Sequence, residues 1–520
     1  MLRVTQLLHR AVQINARGIA TICGDRRHSY AEVTARIARA AAGLRALGLV
    51  PGDRVGILAL NSDRYFEGLF AAAWAGLVFV PITTRLAPPE IAYWLADSGS
   101  TALLIDDVFL PALPAVTPHT PSLRHIVHIG DAPTAPDHHN WDALVAGATP
   151  MADECASGDA IAGLFYTGGT TGRSKGVMLT HTNLVLNMTN TLSIIHFQPD
   201  PVYIHAAPMF HIADATMTLV STGVGATQIF MARFDPIGFM ALVETHRATD
   251  ALLVPTMVNM VVNHPDVTRH DSSSLKQIIY GASPMPEAVI QTAMTVLPHI
   301  GFIQAYGQTE AAPVLTLLPA REHGNGPDQR RRMRSAGRAV LGWEVRIHDE
   351  HDTEVPRGTI GEICGRGPCV MRGYWNLPDL TAETLRNGWL HTGDGGYMDE
   401  DGFIFIVDRL KDMIISGGEN VYSSETEQAV YSHPAVAEAA VIGVPDPKWG
   451  ERVHAVVRCK PDMNVTEADL IAHCHTQIAG FKSPRSVSFT ADPLPLSGAG
   501  KILKTELRKP FWAHHARQVH

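Results

Sequence analysis

The segment Leu164-Phe165-Tyr166-Thr167-Gly168-Gly169-Thr170-Thr171-Gly172-Arg173-Ser174-Lys175-Gly176-Val177 carries the strongest chemical signal in the chain. Its glycines let the backbone turn successive N–H groups toward an anion. Thr167, Thr170, Thr171 and Ser174 add hydroxyl donors, and Lys175 adds a point charge. Those are the needs of a triphosphate. A Walker A loop requires Gly-Lys-Ser/Thr opening a helix, whereas Gly176 follows Lys175 here. A flexible turn between two strands is the competing reading, and so many hydroxyls beside one lysine argue against it.

Further groups follow downstream. Gln304-Ala305-Tyr306-Gly307-Gln308-Thr309-Glu310 closes the apolar run Gly301-Phe302-Ile303. A ring, a hydroxyl and a carboxylate at this spacing could stack on a base, touch a phosphate and hold Mg²⁺. They could equally be packing and a solvated charge. In Gly388-Trp389-Leu390-His391-Thr392-Gly393-Asp394 a carboxylate on a tight turn suits a ribose diol, against the alternative of an Asp solvated in a glycine turn. Near the carboxyl end, Ser497-Gly498-Ala499-Gly500 offers a mobile loop that presents Lys501. Lys504 competes for that role, and the position directly after Gly-Ala-Gly favours Lys501. His211, in Pro208-Met209-Phe210-His211-Ile212-Ala213, stands among apolar residues, where core packing and a pocket role are evenly matched.

Thr167 to Gly176 resembles the signature loop of the adenylate-forming superfamily, which includes acyl-CoA synthetases and aryl-CoA ligases, and the later motifs occur in that family's order over nearly the whole chain. The resemblance implies roles for single residues. Tyr306, with Gly307, would stack on adenine, flanked by Gly281, Ala282 and Ser283; Thr309 would contact the α-phosphate; Glu310 would hold the metal; Asp394 and Arg409 would bind the ribose. Lys501 would bridge the attacking carboxylate and the α-phosphate, with Lys411 at a hinge. Gly417, Gly418 and Glu419 would line a path for coenzyme A. His211, Ala213, Met217, Gly281, Pro313 and Val314 are the expected wall of the acyl pocket. The implied activity is ATP- and Mg²⁺-dependent ligation of a carboxylic acid to coenzyme A through acyl-AMP. Small Ala213 favours a medium- or long-chain fatty acid. The segment Glu310-Ala311-Ala312-Pro313-Val314 also resembles hydroxycinnamate ligases, so an aryl acid is an alternative, as is loading of a separate carrier protein. Relatives often carry Pro after Asn-Val-Tyr, and Ser423 here predicts a looser turn.

Elements must hold these groups. Ser29 and Glu32 form a capping box ahead of the apolar face Val33, Ile37, Leu44 and Leu47, which Gly48 ends. Apolar runs at 54–60 and 101–105 alternate with helix-like stretches, which reads as layered α/β sheets. The Pro- and His-rich stretch 111–140 reads as an irregular connection, and 361–374 as a β-rich subdomain. Short strands at 439–443 and 453–457 and a helix capped by Thr466 follow a change of rhythm. The expected organisation is a large α/β domain over 1–407, a hinge at 408–411, and a small mobile α+β domain over 412–520.

Length and composition agree with this reading. The 520 residues are 46% hydrophobic and 18% charged, enough for several compact units with real cores. A net charge of -9 argues against a nucleic-acid partner. The six cysteines are scattered without CxxC pairs, which points to reduced thiols in a cytoplasmic protein rather than a zinc site. No run of about 20 apolar residues could span a bilayer. Peripheral membrane contact and a homodimer are compatible with the sequence. The cluster Arg330, Arg331, Arg332 and Arg334 reads as a solvated loop, or as a contact for coenzyme A phosphates or an anionic membrane.

Overall fold

The computed structural model describes residues 2–156, 158–167, 174–409, 412–498 and 500–513. Gly168, Gly169, Thr170, Thr171 and Gly172 of the proposed phosphate loop, and Lys411 of the proposed hinge, lie outside the described residues. Among the described residues, four sheets of eight, nine, four and five strands form a large α/β domain and a smaller α+β domain.

Two sheets face each other across buried helices. The eight-stranded sheet contains the parallel strands Arg54–Leu58, Val78–Pro81 and Ala102–Ile105, and the nine-stranded sheet contains Asp250–Leu253, Gln277–Gly281 and Gly301–Gly307. One apolar cluster joins Phe79 and Phe165 of the first sheet, Leu252, Ile279 and Ile303 of the second, and Phe66, Phe70 and Met217 from the helices Asp63–Trp74 and Ile212–Val224 between them. Each such side chain fully buried contributes about 1.5–3 kcal/mol. The helix Asp63–Trp74 is buried on every side, so its charges need partners. Arg26 meets Asp63 at 2.8 Å, Arg36 meets Glu67, and Arg64 meets Asp142 at 2.6 Å.

Local signals explain many boundaries. The Ser29 N–H donates to Glu32 at 2.8 Å and the Glu32 N–H returns a bond to the Ser29 hydroxyl, starting the helix Tyr30–Ala46. The stretch 111–140 is a correction. It includes the strand His125–His128, parallel to Ala102–Ile105, and the bridge-length strand His139–Asn140 beside it. Histidines can stand near a sheet edge, so the composition hid a strand. In the expected β-rich subdomain, Gly361–Arg366 joins the four-stranded sheet, but Gly373–Tyr374 pairs with Lys175–Thr180 in the eight-stranded one.

The four-stranded sheet ends with Ile404–Arg409, and the five-stranded sheet begins with Ile414–Ser416. Ser423 sits between them in space, and the expected looser turn is corrected. Its N–H and hydroxyl donate to the Asp408 carboxylate at 2.5 and 2.6 Å, and Lys504 donates to the Ser423 hydroxyl at 2.5 Å. Proline could make neither bond. Ser424 adds a hydrogen bond from its hydroxyl to the Val407 carbonyl.

Replacing Ser423 by Pro removes both bonds to a buried carboxylate. The local opening free energy of residues 412–513 should fall by about 1–3 kcal/mol. Native-state hydrogen exchange measures it directly; unchanged protection would mean that the Ser423–Asp408 bonds stabilise nothing.

Candidate active site

A cleft of about 2520 Å³ runs between the large domain and the small one. Typical small-molecule pockets hold about 300–1,000 Å³, so this volume accommodates more than one ligand. Thr167, Gly281 and Gly307 are the last residues of their strands and all line it. The carboxyl ends of parallel strands are where open α/β sheets bind ligands, because loops diverge there. Two glycines are obligatory at this edge. A Cβ on Gly281 would stand 2.2 Å from the Ala305 carbonyl oxygen, and one on Gly307, at φ +157°, would stand 1.8 Å from that of Pro313. Ala282 and Ser283 continue the rim, Ala282 in the left-handed region at φ 67°.

On one wall, three side chains form a connected group. The Tyr306 hydroxyl donates to Asp394 Oδ2 at 2.9 Å, and Arg409 Nε lies 3.3 Å from Asp394 Oδ1. Sheet register makes this pair: Asp394 stands directly opposite Arg409 on the adjacent antiparallel strands. Burial, then the Asp394 charge, raises the Tyr306 phenol well above its ordinary value, so it remains a donor. Thr309 and Glu310 occupy the short turn Thr309–Ala311 that follows.

Glu310 is buried and lines the cleft. Its Oε1 accepts from the Tyr374 hydroxyl at 2.8 Å, and Lys175 Nζ lies 5.0 Å from the centre of the same ring. Sequence reasoning did not single out Tyr374, because its approach depends on the pairing of Gly373–Tyr374 with Lys175–Thr180. The Glu310 carboxylate and the Thr167 hydroxyl line the same cleft, and oxygen donors of this kind suit Mg²⁺.

The small domain closes the opposite side. The Ser497 N–H donates to the Lys501 carbonyl at 2.6 Å, the Lys501 N–H donates to the Ser497 hydroxyl at 3.1 Å, and Arg85 of the large domain donates to the Ser497 carbonyl at 2.7 Å. Lys501 thereby lines the cleft near His211. Burial, then the Lys501 charge, pushes the His211 imidazole down to about 3, so it is neutral at ordinary pH. His211 caps the helix Ile212–Val224, its Nδ1 accepting from the Ala213 N–H at 3.3 Å. Ala213, Met217, Pro313 and Val314 share this wall, with Phe210 and Thr216, which the sequence reading did not include.

Other candidates are engaged differently, although Arg331, Arg334 and Lys504 also line the cleft. Gly417, Gly418 and Glu419 form an exposed turn between Ile414–Ser416 and Glu419–Val421, away from the cleft wall. Lys504 is 2.7 Å from Glu427 inside the small domain. The arginine cluster is largely neutralised: Arg331 meets Asp399 at 2.8 Å, Arg332 meets Glu322 at 2.9 Å, and Arg334 meets Glu287 at 3.0 Å. No helix among the described residues is long and apolar enough to cross a membrane.

Residues 8–375 match the family model of the AMP-binding enzymes, and residues 425–501 match that of the AMP-binding enzyme C-terminal domain. A feruloyl-CoA synthase from Amycolatopsis sp. is 40% identical over 96% of this chain and 98% of its own. The fatty acid–[acyl-carrier-protein] ligase ScoC of Streptomyces coeruleorubidus is 38% identical over 96% of this chain and 95% of its own. The anthranilate CoA ligase AuaEII, solved with anthranoyl-AMP, superposes with a TM-score of 0.90 at 25% identity, covering 98% of this chain and 97% of that one.

The His211 environment yields a pH dependence. An unfolded imidazole takes up a proton below about 6.5, whereas folded His211 waits until about 3. Between those values the unfolded chain binds the extra proton, so stability falls as pH is lowered through the window, by about 1.4 kcal/mol per pH unit for this group. Denaturant unfolding at several pH values should give a shallower dependence in His211→Gln. Equal slopes would show that this imidazole is not held neutral by burial.

Proposed function

The chain belongs to the AMP-binding enzyme family and is an adenylate-forming acid ligase, and from this premise we propose that it joins a hydroxycinnamate-type aromatic acid to coenzyme A. The observation that carries the mechanism is the single cleft that gathers Thr167, Lys175, Glu310, the Tyr306–Asp394–Arg409 group and Lys501 from two domains.

A carboxylate and a triphosphate repel each other, so the first step needs charge neutralisation and in-line alignment. Asp394 and Arg409 take the ribose and Tyr306 the adenine, with the Gly281–Ser283 rim along its edge. The glycine-rich segment 168–172, with Lys175 and Thr309, takes the phosphates. Mg²⁺ on Glu310, with Thr167 beside it, would supply positive charge to the phosphate oxygens. Lys501 bridges the acid and the α-phosphate. A carboxylate oxygen attacks the α-phosphorus, the bond to pyrophosphate breaks, and acyl-AMP results. The thiol of coenzyme A then attacks the acyl carbon, loses its proton to solvent, and displaces AMP. In this reading the small domain, 412–520, turns about the hinge 408–411, with Lys411 at the pivot. Gly417, Gly418 and Glu419, exposed in the present arrangement, then line the thiol's approach.

Two observations support an aromatic acid over the aliphatic one suggested by Ala213. The 40% identical relative is a feruloyl-CoA synthase. Thr216 lines the cleft with a buried hydroxyl that lacks a hydrogen-bond partner. An alkyl chain offers that group no partner, and a ring hydroxyl or methoxy group that reached it would supply one. A second reading, delivery of a fatty acid to a carrier protein, is favoured by the 38% identical ScoC ligase.

The chemistry and the acid are tested separately. Lys501→Ala should lower adenylate formation by about 10²–10³-fold while leaving thioester formation from supplied acyl-AMP largely intact; equal loss in both half-reactions would remove Lys501 from the first step. Pyrophosphate release should be screened across hydroxycinnamic, benzoic and medium- to long-chain fatty acids, with coenzyme A and carrier-protein acceptors compared. Hydroxycinnamates should lead in kcat/KM by at least about tenfold, and Thr216→Val should erase the advantage of a ring hydroxyl over unsubstituted cinnamate. A fatty acid in first place would refute the aromatic assignment while leaving the ligase chemistry standing.

A further inference from the structure

The four-stranded sheet, beside the strand that carries Asp394, holds a cluster to which the ligase steps above assign no role, although Glu362 and His391 line the same cleft. The strands Glu344–His348, Gly361–Arg366 and Leu390–Met398 are neighbours. Cys364 stands opposite Arg346 on one side and opposite His391 on the other, and His348 stands opposite Glu362. Side chains two apart along a strand share a face, so His348, Glu362, Cys364 and His391 all project to the same side. One ligand atom each from His348, Cys364 and His391 lie within 4.8 Å of one another, and these residues are 3%, 0% and 7% exposed.

Ordinary hydrogen bonding accounts for only part of this cluster. His391 Nδ1 lies 2.8 Å from Glu362 Oε2 and 3.4 Å from Cys364 Sγ. His391 Nε2 and His348 Nδ1 are buried with no hydrogen-bond partner. Each such orphan costs about 1–3 kcal/mol, and two in one pocket call for a common explanation. Asp352 Oδ1 is 3.7 Å from His391 Nε2, within reach as a fourth donor.

We propose that His348, Cys364 and His391, with Asp352 completing the set, bind a zinc-class divalent cation. A thiolate, two imidazoles and one carboxylate are the donors of a tetrahedral zinc site. Zinc bonds of about 2.0–2.3 Å put ligand atoms roughly 3.3–3.8 Å apart, so the three side chains need to close by about an ångström. Glu362 supplies the outer support. A carboxylate on one ring nitrogen holds a metal-binding histidine in orientation and leaves the other nitrogen as ligand. On binding, the Cys364 thiol releases its proton to solvent. Charge then balances: the carboxylates of Asp352 and Glu362 and the thiolate are matched by the divalent ion and by Arg386, which lies 3.1 Å from Asp352 and 3.4 Å from Glu362. Glu362 also accepts from the Gly393 N–H at 2.9 Å through Oε1, so the ion fastens the strand segment that carries Asp394.

The test uses full-length, tag-free protein freed of metal by chelation and kept reduced, titrated with Co²⁺ alone and with Zn²⁺ alone. Co²⁺ should bind with one ion per chain, give a near-ultraviolet thiolate-to-cobalt charge-transfer band, and show the intense visible bands of a tetrahedral centre, all displaced by Zn²⁺. Cys364→Ser should lose the charge-transfer band, and His348→Gln should weaken Zn²⁺ binding by at least about tenfold. Circular dichroism of the metal-free variants checks folding. Should Cys364→Ser misfold, His348→Gln at the strand end carries the test. Absence of stoichiometric binding, binding without a thiolate band, or equal affinity in a folded His348→Gln overturns the site.

Discussion

The Asp394 carboxylate is the joint on which the arrangement depends. It accepts from Tyr306, which belongs to the nine-stranded sheet, and pairs with Arg409 at the end of the four-stranded one. Side chains alternate along a strand, so Arg409 faces the cleft while its neighbour Asp408 faces the small domain. There Asp408 accepts both bonds from Ser423, and Ser423 in turn accepts from Lys504, itself paired with Glu427. A continuous polar seam therefore runs from the cleft into the small domain. In surroundings of low dielectric each of these bonds is stronger than in water, and each broken one is more costly.

This seam bears on how one cleft could serve two half-reactions. Polar contacts join the small domain to the large one: Arg85 donates to the Ser497 carbonyl, and the Glu287 N–H donates to Gln428 Oε1 at 3.1 Å. Such contacts exchange readily for water, unlike the apolar cluster that locks the two large sheets together. The Asp408–Ser423 bonds instead join the end of the strand Ile404–Arg409 to the small domain.

Much of the cleft was legible because its chemistry is local in sequence. Gly281, Gly307, Thr167 and Glu310 stand at strand ends, where short motifs specify turn geometry and donors together. What sequence reading missed came from pairing at a distance. Tyr374 reaches Glu310 only because its two-residue strand joins Lys175–Thr180. Ser423 was misread as loosening a turn because the acceptor for its N–H is Asp408, fifteen residues earlier. The strand His125–His128 escaped notice because two apolar residues between histidines make no clear alternation. The cysteines were judged by spacing along the chain, yet Cys364 meets His391 by register across a sheet, 27 residues apart.

The same register argument links the proposed cation to the nucleotide. Glu362 divides its two oxygens between His391 Nδ1 and the Gly393 N–H. His391 and Asp394 are three residues apart on one strand, with Thr392 bonding both the Ile363 carbonyl and the Asp394 N–H. An ion that pulls His391 toward Cys364 must act on this short rigid segment, and a ribose held by Asp394 acts on its other end. Coupling between two ligands is reciprocal by thermodynamic necessity. A segment this tightly hydrogen-bonded has little freedom to absorb one displacement without passing it to the other. The two imidazole nitrogens without protein partners would then act as ligands in a device that stiffens the ribose side of the cleft.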